Sequence, residues 1–238
     1  MRWAVAVLMW LAAPAQAVTC ADTVFDGASF TICTVDAATE DLRLFHSDQD
    51  GALLGDFAAI ESVHPDKTLA FAMNAGMYHA DRAPVGLYRE GNTDVSRIVT
   101  SAGPGNFGLL PNGVLCLTDT TAKVYESLDF VTRAPACRDA SQSGPMLVIN
   151  GALHPRFIPD SSSEFIRNGV GTSADGRTAV FAIANDAVNF HTFGRLFRDH
   201  LNLPNALYFD GKVSRLYAPT LGRHDFGFQL GPMVGVLQ

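Results

Sequence analysis

Charge is scarce in this 238-residue chain and skewed in sign. Only 17% of residues are Asp, Glu, Lys or Arg, with 24 acidic against 17 basic. No run of Lys and Arg occurs. Phosphate neutralisation supplies most nucleic-acid affinity, so a nucleic-acid partner is excluded. Long apolar runs are missing too. The longest, Trp3–Ala13, has 11 residues, short of the roughly 20 that cross a bilayer as a helix. Low charge does not imply disorder, because 47% of residues are hydrophobic, a globular composition.

The usual chemical signatures are also absent. There is no C-x-x-C, which removes zinc ribbons and thioredoxin-like sites. The seven histidines contain no H-x-x-x-H pair, so zinc hydrolysis has no support. No Walker loop or G-x-S-x-G elbow is present; Gly171-Thr172-Ser173-Ala174-Asp175-Gly176 has the wrong spacing. Gly103–Gly108 spells G-x-G-x-x-G, but Leu109, Leu110 and Pro111 follow it rather than an amphipathic helix, so it reads as a loop.

The N-terminus is informative. Arg2, the apolar run and the A-x-A site Ala15-Gln16-Ala17 have the order of a secretory signal peptide over residues 1–17. The expected mature chain starts at Val18 as one domain over residues 18–238, with no transmembrane segment and a periplasmic or secreted location. Without Arg2 the 17 basic residues become 16, a net charge of −8. Four cysteines remain: Cys20, Cys33, Cys116 and Cys137. An even count in an exported chain points to disulfides, and of three pairings Cys20–Cys33 with Cys116–Cys137 joins neighbouring segments.

Short strand-like runs dominate the rest: Ser29–Val35, Leu42–Leu44, Leu69–Met73, Val85–Arg89, Val114–Leu117, Lys123–Tyr125, Met146–Ile149, Ala179–Ala184, Ala206–Phe209 and Val213–Tyr217. Two segments have helical spacing: Phe57, Ile60 and Val63, then Phe190, Phe193, Leu196, Phe197 and Leu201. Pro204 stops the second near Asn202. Many strands and few helices predict an α+β domain on a mixed or antiparallel sheet.

Four stretches set polar residues and glycines against apolar strands: Met73–Tyr78, Gln142–Met146, Arg167–Gly171 and Ala206–Gly211, the last followed by Ser214 and Arg215. Glycine lets main chain approach a ligand while Asn, Ser, Arg and Asp supply donors and a base. Ordinary turns are the other reading of the same spacing. In this order the stretches resemble the phosphodiester glycosidase family. Its N-G-G-F-F turn corresponds to Asn74–Tyr78, its S-G-P to Ser143–Pro145, its R-x-G-x-G to Arg167–Gly171 and its D-G-G-G-S to Asp210–Ser214. The resemblance covers residues 65–218. The sequence departs from the pattern at Ala75 and at Lys212 and Val213, where the family has glycines.

The resemblance implies an exported hydrolase that removes a sugar from a glycosyl phosphodiester or related cell-envelope glycan. A non-catalytic glycan-binding protein using the same cleft is the alternative. Asp210 is the expected base or nucleophile, Arg167 the phosphate ligand, and Asn74 and Ser143 the holders of hydroxyls or phosphate oxygens. Gly76, Tyr78, His79, Gly144, Asn185, Gly211 and Ser214 are expected to line the substrate, with His79 able to shuttle a proton. Glu164 and Asp186 are candidates for a second carboxylate. No cofactor is called for; a divalent cation such as Ca2+ held by Asp210 and main-chain carbonyls is an option. Oligomeric state is left open.

Overall fold

The computed structural model describes residues 18–238; the expected signal peptide, residues 1–17, lies outside the described residues. The chain runs β1 (Thr19–Phe25), β2 (Ala28–Asp36), β3 (Asp41–Phe45), α1 (Phe57–Val63), β4 (Leu69–Asn74), β5 (Tyr88–Glu90), β6 (Thr93–Ser96), β7 (Gly113–Leu117), β8 (Ala122–Glu126) and α2 (Ser127–Arg133). It continues with β9 (Asp139–Ser143), β10 (Met146–Ile149), β11 (Ala152–Leu153), β12 (Asn168–Thr172), β13 (Thr178–Ala184), α3 (Phe190–Arg195), a π-helical turn Leu196–His200, β14 (Asn205–Tyr208), β15 (Leu216–Ala218), β16 (Arg223–His224) and β17 (Met233–Leu237).

Three sheets result. One has seven strands in the order β1-β2-β13-β12-β14-β10-β11, and two have five: β16-β15-β4-β17-β3 and β6-β5-β9-β7-β8. Neighbouring strands are antiparallel throughout, including β12 against β14, where Gly169 faces Tyr208. The α+β expectation holds, in its antiparallel form.

The main core lies between the sheets. Val35, Val170, Phe181 and Leu207 of the seven-stranded sheet meet Phe71, Met73 and Val234 of the second and Leu115 and Tyr88 of the third. The Phe71 and Phe181 ring centroids are 4.9 Å apart. This explains why β13 reads as an unbroken apolar run. Ala179, Phe181 and Ile183 face this core, while Val180, Ala182 and Ala184 face a second one under α3 with Phe193, Leu196 and Phe197. A strand covered on both sides has no reason to alternate.

Local chemistry sets the helix ends. Asp56 caps α1 by accepting from Ala59 N at 2.8 Å, and Asn189 caps α3 from Thr192 N at 2.9 Å. The phenylalanine stripe ends as expected: the π-helical turn closes at His200, and Asn202 has φ +53° just before Pro204. Val63 is 39% exposed, so α1 buries only Phe57 and Ile60. Both expected disulfides are present, Cys20–Cys33 and Cys116–Cys137. The first joins facing residues of β1 and β2.

Two expected strands are shorter than their apolar patterns. Of Val85–Arg89 only Tyr88 and Arg89 pair in β5, because Gly86 turns the chain at φ +86°. Of Val213–Tyr217, β15 begins only at Leu216, because Ser214 is drawn into side-chain bonds described below. Strands β1, β6, β9, β11, β16 and β17 and helix α2 carried no pattern that we read as an element, and β12 was read only as a glycine-rich stretch.

Candidate active site

Antiparallel pairing gathers the polar stretches. β4 ends at Asn74, β9 ends at Ser143, β12 begins at Asn168, and β14 leads through Tyr208 and Phe209 into Asp210. Phe209 N donates to Asn168 O at 3.0 Å, closing the end of the β12–β14 ladder.

The centre of this strand-end cluster is a clasp of two buried asparagines. Asn168 Nδ2 donates to Asn74 O and to Asn74 Oδ1, both at 3.0 Å, and Asn74 Nδ2 returns a bond to Asn168 Oδ1 at 3.2 Å. Asn168 Oδ1 also accepts from Asp210 N at 3.2 Å and Ser214 Oγ at 3.3 Å. Arg215 N donates to Asn74 Oδ1 at 2.8 Å. Ser214 Oγ lies 2.9 Å from Ile166 O and 2.7 Å from Asp210 O. Ser143 Oγ donates to Phe209 O at 2.8 Å, beside Asp210 in the chain. Asn74, Asp210 and Ser214 therefore converge through Asn168, and Ser143 joins them through Phe209.

Asp210 is half-buried. Its Oδ1 accepts from Lys212 N at 2.9 Å. Burial pushes its carboxyl above the usual aspartate range, opposed by the Lys212 and Gly211 amides. Gly211 is required here, since a Cβ would fall 2.3 Å from the Tyr208 hydroxyl. Burial also raises the half-buried Tyr78 hydroxyl, and the Asp210 charge adds to the effect; that hydroxyl donates to Gln229 O at 3.0 Å. Gly76 holds this turn against β9: a Cβ there would lie 2.6 Å from Ser141 Oγ and 2.7 Å from Gln142 O. Gly144 packs on Asn112 and on Phe107 of the Gly103–Gly108 loop.

Arg167 is placed unusually. It is fully buried, and its guanidinium carbon lies 3.6 Å from the Phe190 ring centroid and 5.5 Å from that of Tyr208. Nε donates to Val188 O at 2.7 Å and Nη2 to Ser163 O at 2.8 Å. Nη1 is shielded from solvent and has no hydrogen-bond partner among the described residues. Burial holds this guanidinium below the ordinary arginine range, and Tyr208 opposes that.

Other expected residues stand apart from the clasp. Asn185 belongs to a separate network, donating to Ser29 Oγ and accepting from Arg223 Nη1 at 2.7 Å. His79 is exposed, and its main-chain N bonds Ala83 O. Glu164 is exposed on the loop before Arg167, and Asp186 Oδ2 accepts from Ser29 N at 2.8 Å. Neither carboxylate bonds to the cluster. Among the described residues no three His, Cys, Asp or Glu side chains gather as a metal site, so a cation at Asp210 would depend on main-chain carbonyls. Two larger cavities, about 730 and 520 Å³, are lined by none of the clasp residues.

Three participants, Asn168, Tyr208 and Arg215, lie in or beside the selected stretches but were assigned no role from the sequence. Asn168 follows Arg167 at a strand start, and that adjacency was its only available signal.

This arrangement is that of a carboxylate held at the joint of several strand ends, and the comparisons agree on the class. The sequence pattern of the phosphodiester glycosidase family matches residues 67–226. The chain belongs to that family. The Escherichia coli (strain K12) protein YigE is 34% identical over 185 residues, which cover 77% of this chain and 72% of YigE. Among solved structures, the zebrafish N-acetylglucosamine-1-phosphodiester alpha-N-acetylglucosaminidase catalytic domain, auto-inhibited by its pro-peptide, superposes with a TM-score of 0.61 at 13% identity, covering 92% of this chain and 81% of that one. A protein from Synechocystis gives 0.60 at 11% identity, over 92% and 61% of the two chains. At these identities the solved structures establish a shared fold.

Proposed function

We propose that this chain is an exported hydrolase that cleaves a sugar from a glycosyl phosphodiester or a related cell-envelope glycan, with Asp210 acting at the anomeric carbon. The observation that carries this reading is the position of Asp210 in a member of this family. Its main-chain N is pinned by Asn168, its Oδ1 accepts from Lys212 N, and the Gly211 amide also favours its charged form.

The chemistry can be carried by one carboxylate rather than a pair. Water, losing a proton to Asp210, adds to the anomeric carbon, or Asp210 itself adds and water displaces it later. The bond from that carbon to the phosphate oxygen breaks, and the phosphate leaves with the electron pair. A phosphate is a good leaving group, so little general-acid help is required, in keeping with a cluster that holds Asp210 alone. Arg167, fully buried, steadies the loop before β12 through Ser163 and Val188. Two disulfides fit an exported protein, and among the described residues no helix is long and apolar enough to cross a membrane.

Turnover of a chromogenic glycosyl phosphodiester tests the reading. Asp210→Asn keeps the shape and removes the base, so turnover is expected to fall about 100-fold or more with the fold intact. Full activity of that variant overturns the assignment of Asp210. A wild-type chain that binds glycans without cleaving them identifies a binding protein instead. Export is checked by intact mass of protein from the periplasm or medium: a chain beginning at Val18 is expected, and one retaining Met1 refutes it.

A further inference from the structure

Two phenylalanines break the pattern of covered aromatic rings. Phe226 and Phe228 are 81% and 84% exposed, more than any other large apolar side chain among the described residues. They flank Gly227 in the segment between β16 and β17. The segment is firmly tied. Arg215 donates from Nε to Asp225 O at 3.1 Å and from Nη1 to Phe228 O at 2.8 Å, gripping the main chain on both sides of Gly227. Tyr78 bonds Gln229 O, and Leu230 N bonds Gly55 O at 2.7 Å. Exposed rings on a main chain already fixed lose little freedom when a ligand covers them, which is how a binding surface is built.

A cavity of about 190 Å³ opens beside Phe226, lined by Asp56, Arg215, His224, Phe226 and Gln229 among others; Phe228 follows in the chain after Gly227 of the cavity wall. It offers unused hydrogen-bonding groups. Asp56 spends Oδ1 on capping α1 and keeps Oδ2. Arg215 keeps Nη2, which has no partner among the described residues, as has the Gln229 side-chain amide. Phe226 stands over the His224 ring with centroids 4.4 Å apart, leaving its other face open. One carboxylate and one guanidinium balance, so the cavity has no excess charge with which to select a phosphate. An aromatic wall with a rim of donors and acceptors suits a pyranose ring, whose C–H face is apolar and whose edge is hydroxyl. The cavity is also tied to the candidate active site: Arg215, in the cavity wall, donates from its main-chain N to Asn74 Oδ1 of the clasp at 2.8 Å.

We propose that Phe226 and Phe228, with Asp56, Arg215, His224 and Gln229, form a second subsite that holds a neutral sugar unit of a glycan substrate next to the Asp210 cluster. The assignment rests on the hydrolase reading only for which substrate the sugar belongs to.

The test reads binding without turnover. Maltotriose and triacetylchitotriose are titrated calorimetrically into the full mature chain and into the double variant Phe226→Ala/Phe228→Ala. Wild type is expected to bind at least one trisaccharide, and the double variant to bind it at least tenfold more weakly with an unchanged melting temperature. Gln229→Ala is expected to weaken binding several-fold. No binding by wild type, or equal binding by the double variant, overturns the subsite. So does a double variant that loses only self-association, or only adhesion to phosphatidylglycerol vesicles. Trisaccharide binding by a chain that cleaves no phosphodiester would leave the subsite standing and remove the hydrolase reading; the converse result would do the opposite.

Discussion

Truncating Asn168 to alanine should loosen the candidate site and the fold together. The side chain is fully buried, accepts from three groups and donates to two acceptor atoms of Asn74 at 3.0–3.3 Å. Not every partner is orphaned by its loss. Asn74 Oδ1 keeps Arg215 N, and Ser214 Oγ keeps Ile166 O and Asp210 O. Asn74 Nδ2 and the Asp210 main-chain N are left without acceptors. A buried unsatisfied group costs about 1–3 kcal/mol. Water reaching the half-buried Asp210 relieves part of this, so about 3 kcal/mol is expected for the pair. Urea unfolding should show the midpoint falling with an unchanged slope. Turnover should fall 10-fold or more, on the order of 1.4 kcal/mol or above, because the main chain of Asp210 loses its anchor.

Asn168→Asp sharpens the argument. It replaces the two donated bonds with a carboxylate oxygen facing Asn74 O and Asn74 Oδ1, so it should be worse than alanine at neutral pH and should recover in acid as the carboxyl takes a proton. If Asn168→Ala stays within about 0.5 kcal/mol of wild type, the ordinary range of surface substitutions, and is fully active, the clasp has no organising role. If the aspartate variant matches wild type at neutral pH, the assigned donor directions are wrong.

Two further outcomes concern other buried groups. Burial raises the Glu90 carboxyl from 4.5 to about 7, with the bond from Tyr88 opposing it; the folded state therefore holds a proton that the unfolded state releases, and stability falls as pH rises from about 4.5 to about 7. The whole effect is at most about 3 kcal/mol, so in urea Glu90→Gln should match wild type near the lower pH and exceed it above the upper one, and parallel stability curves would refute the burial argument. Arg167→Lys should destabilise almost as much as Arg167→Ala, by about 2–4 kcal/mol, because an ammonium cannot span Val188 O and Ser163 O while stacking on Phe190; a lysine variant with wild-type stability and phosphodiester affinity would show that only the charge matters.

Much of the fold could be read from local pattern. The apolar runs at Leu69–Met73, Val114–Leu117, Met146–Ile149, Ala179–Ala184 and Ala206–Phe209 all lie within or overlap strands, because each is covered on two faces and needs no polar alternation. β9 was illegible for the converse reason. Asp-Ala-Ser-Gln-Ser has no apolar signal, yet it is buried throughout. Its polar atoms are satisfied by partners distant in sequence: Gln142 Nε2 bonds Val99 O at 2.6 Å, and its Oε1 accepts from Leu87 N and Val99 N. A polar strand in a core is stable only when such partners exist, and a window of neighbouring residues does not contain them.

The same distinction separates the legible part of the site from the rest. Asn74, Ser143 and Asp210 stand at strand ends beside or near glycine, and that local signature was enough to select them. Asn168 looked like another residue in a glycine-rich turn; its role depends on Asn74, 94 positions away, and on Asp210, 42 positions away. Arg167 was legible as chemistry but not as geometry. A guanidinium with carbonyl partners at Nε and Nη2 and an aromatic face beneath it is fixed by Ser163, Val188 and Phe190, and its Nη1 is shielded from solvent as well. A cation placed in this way contributes direction more than reach. It fixes the chain that enters β12, and with it Asn168, so what it contributes is the geometry of the clasp rather than a charge at the surface.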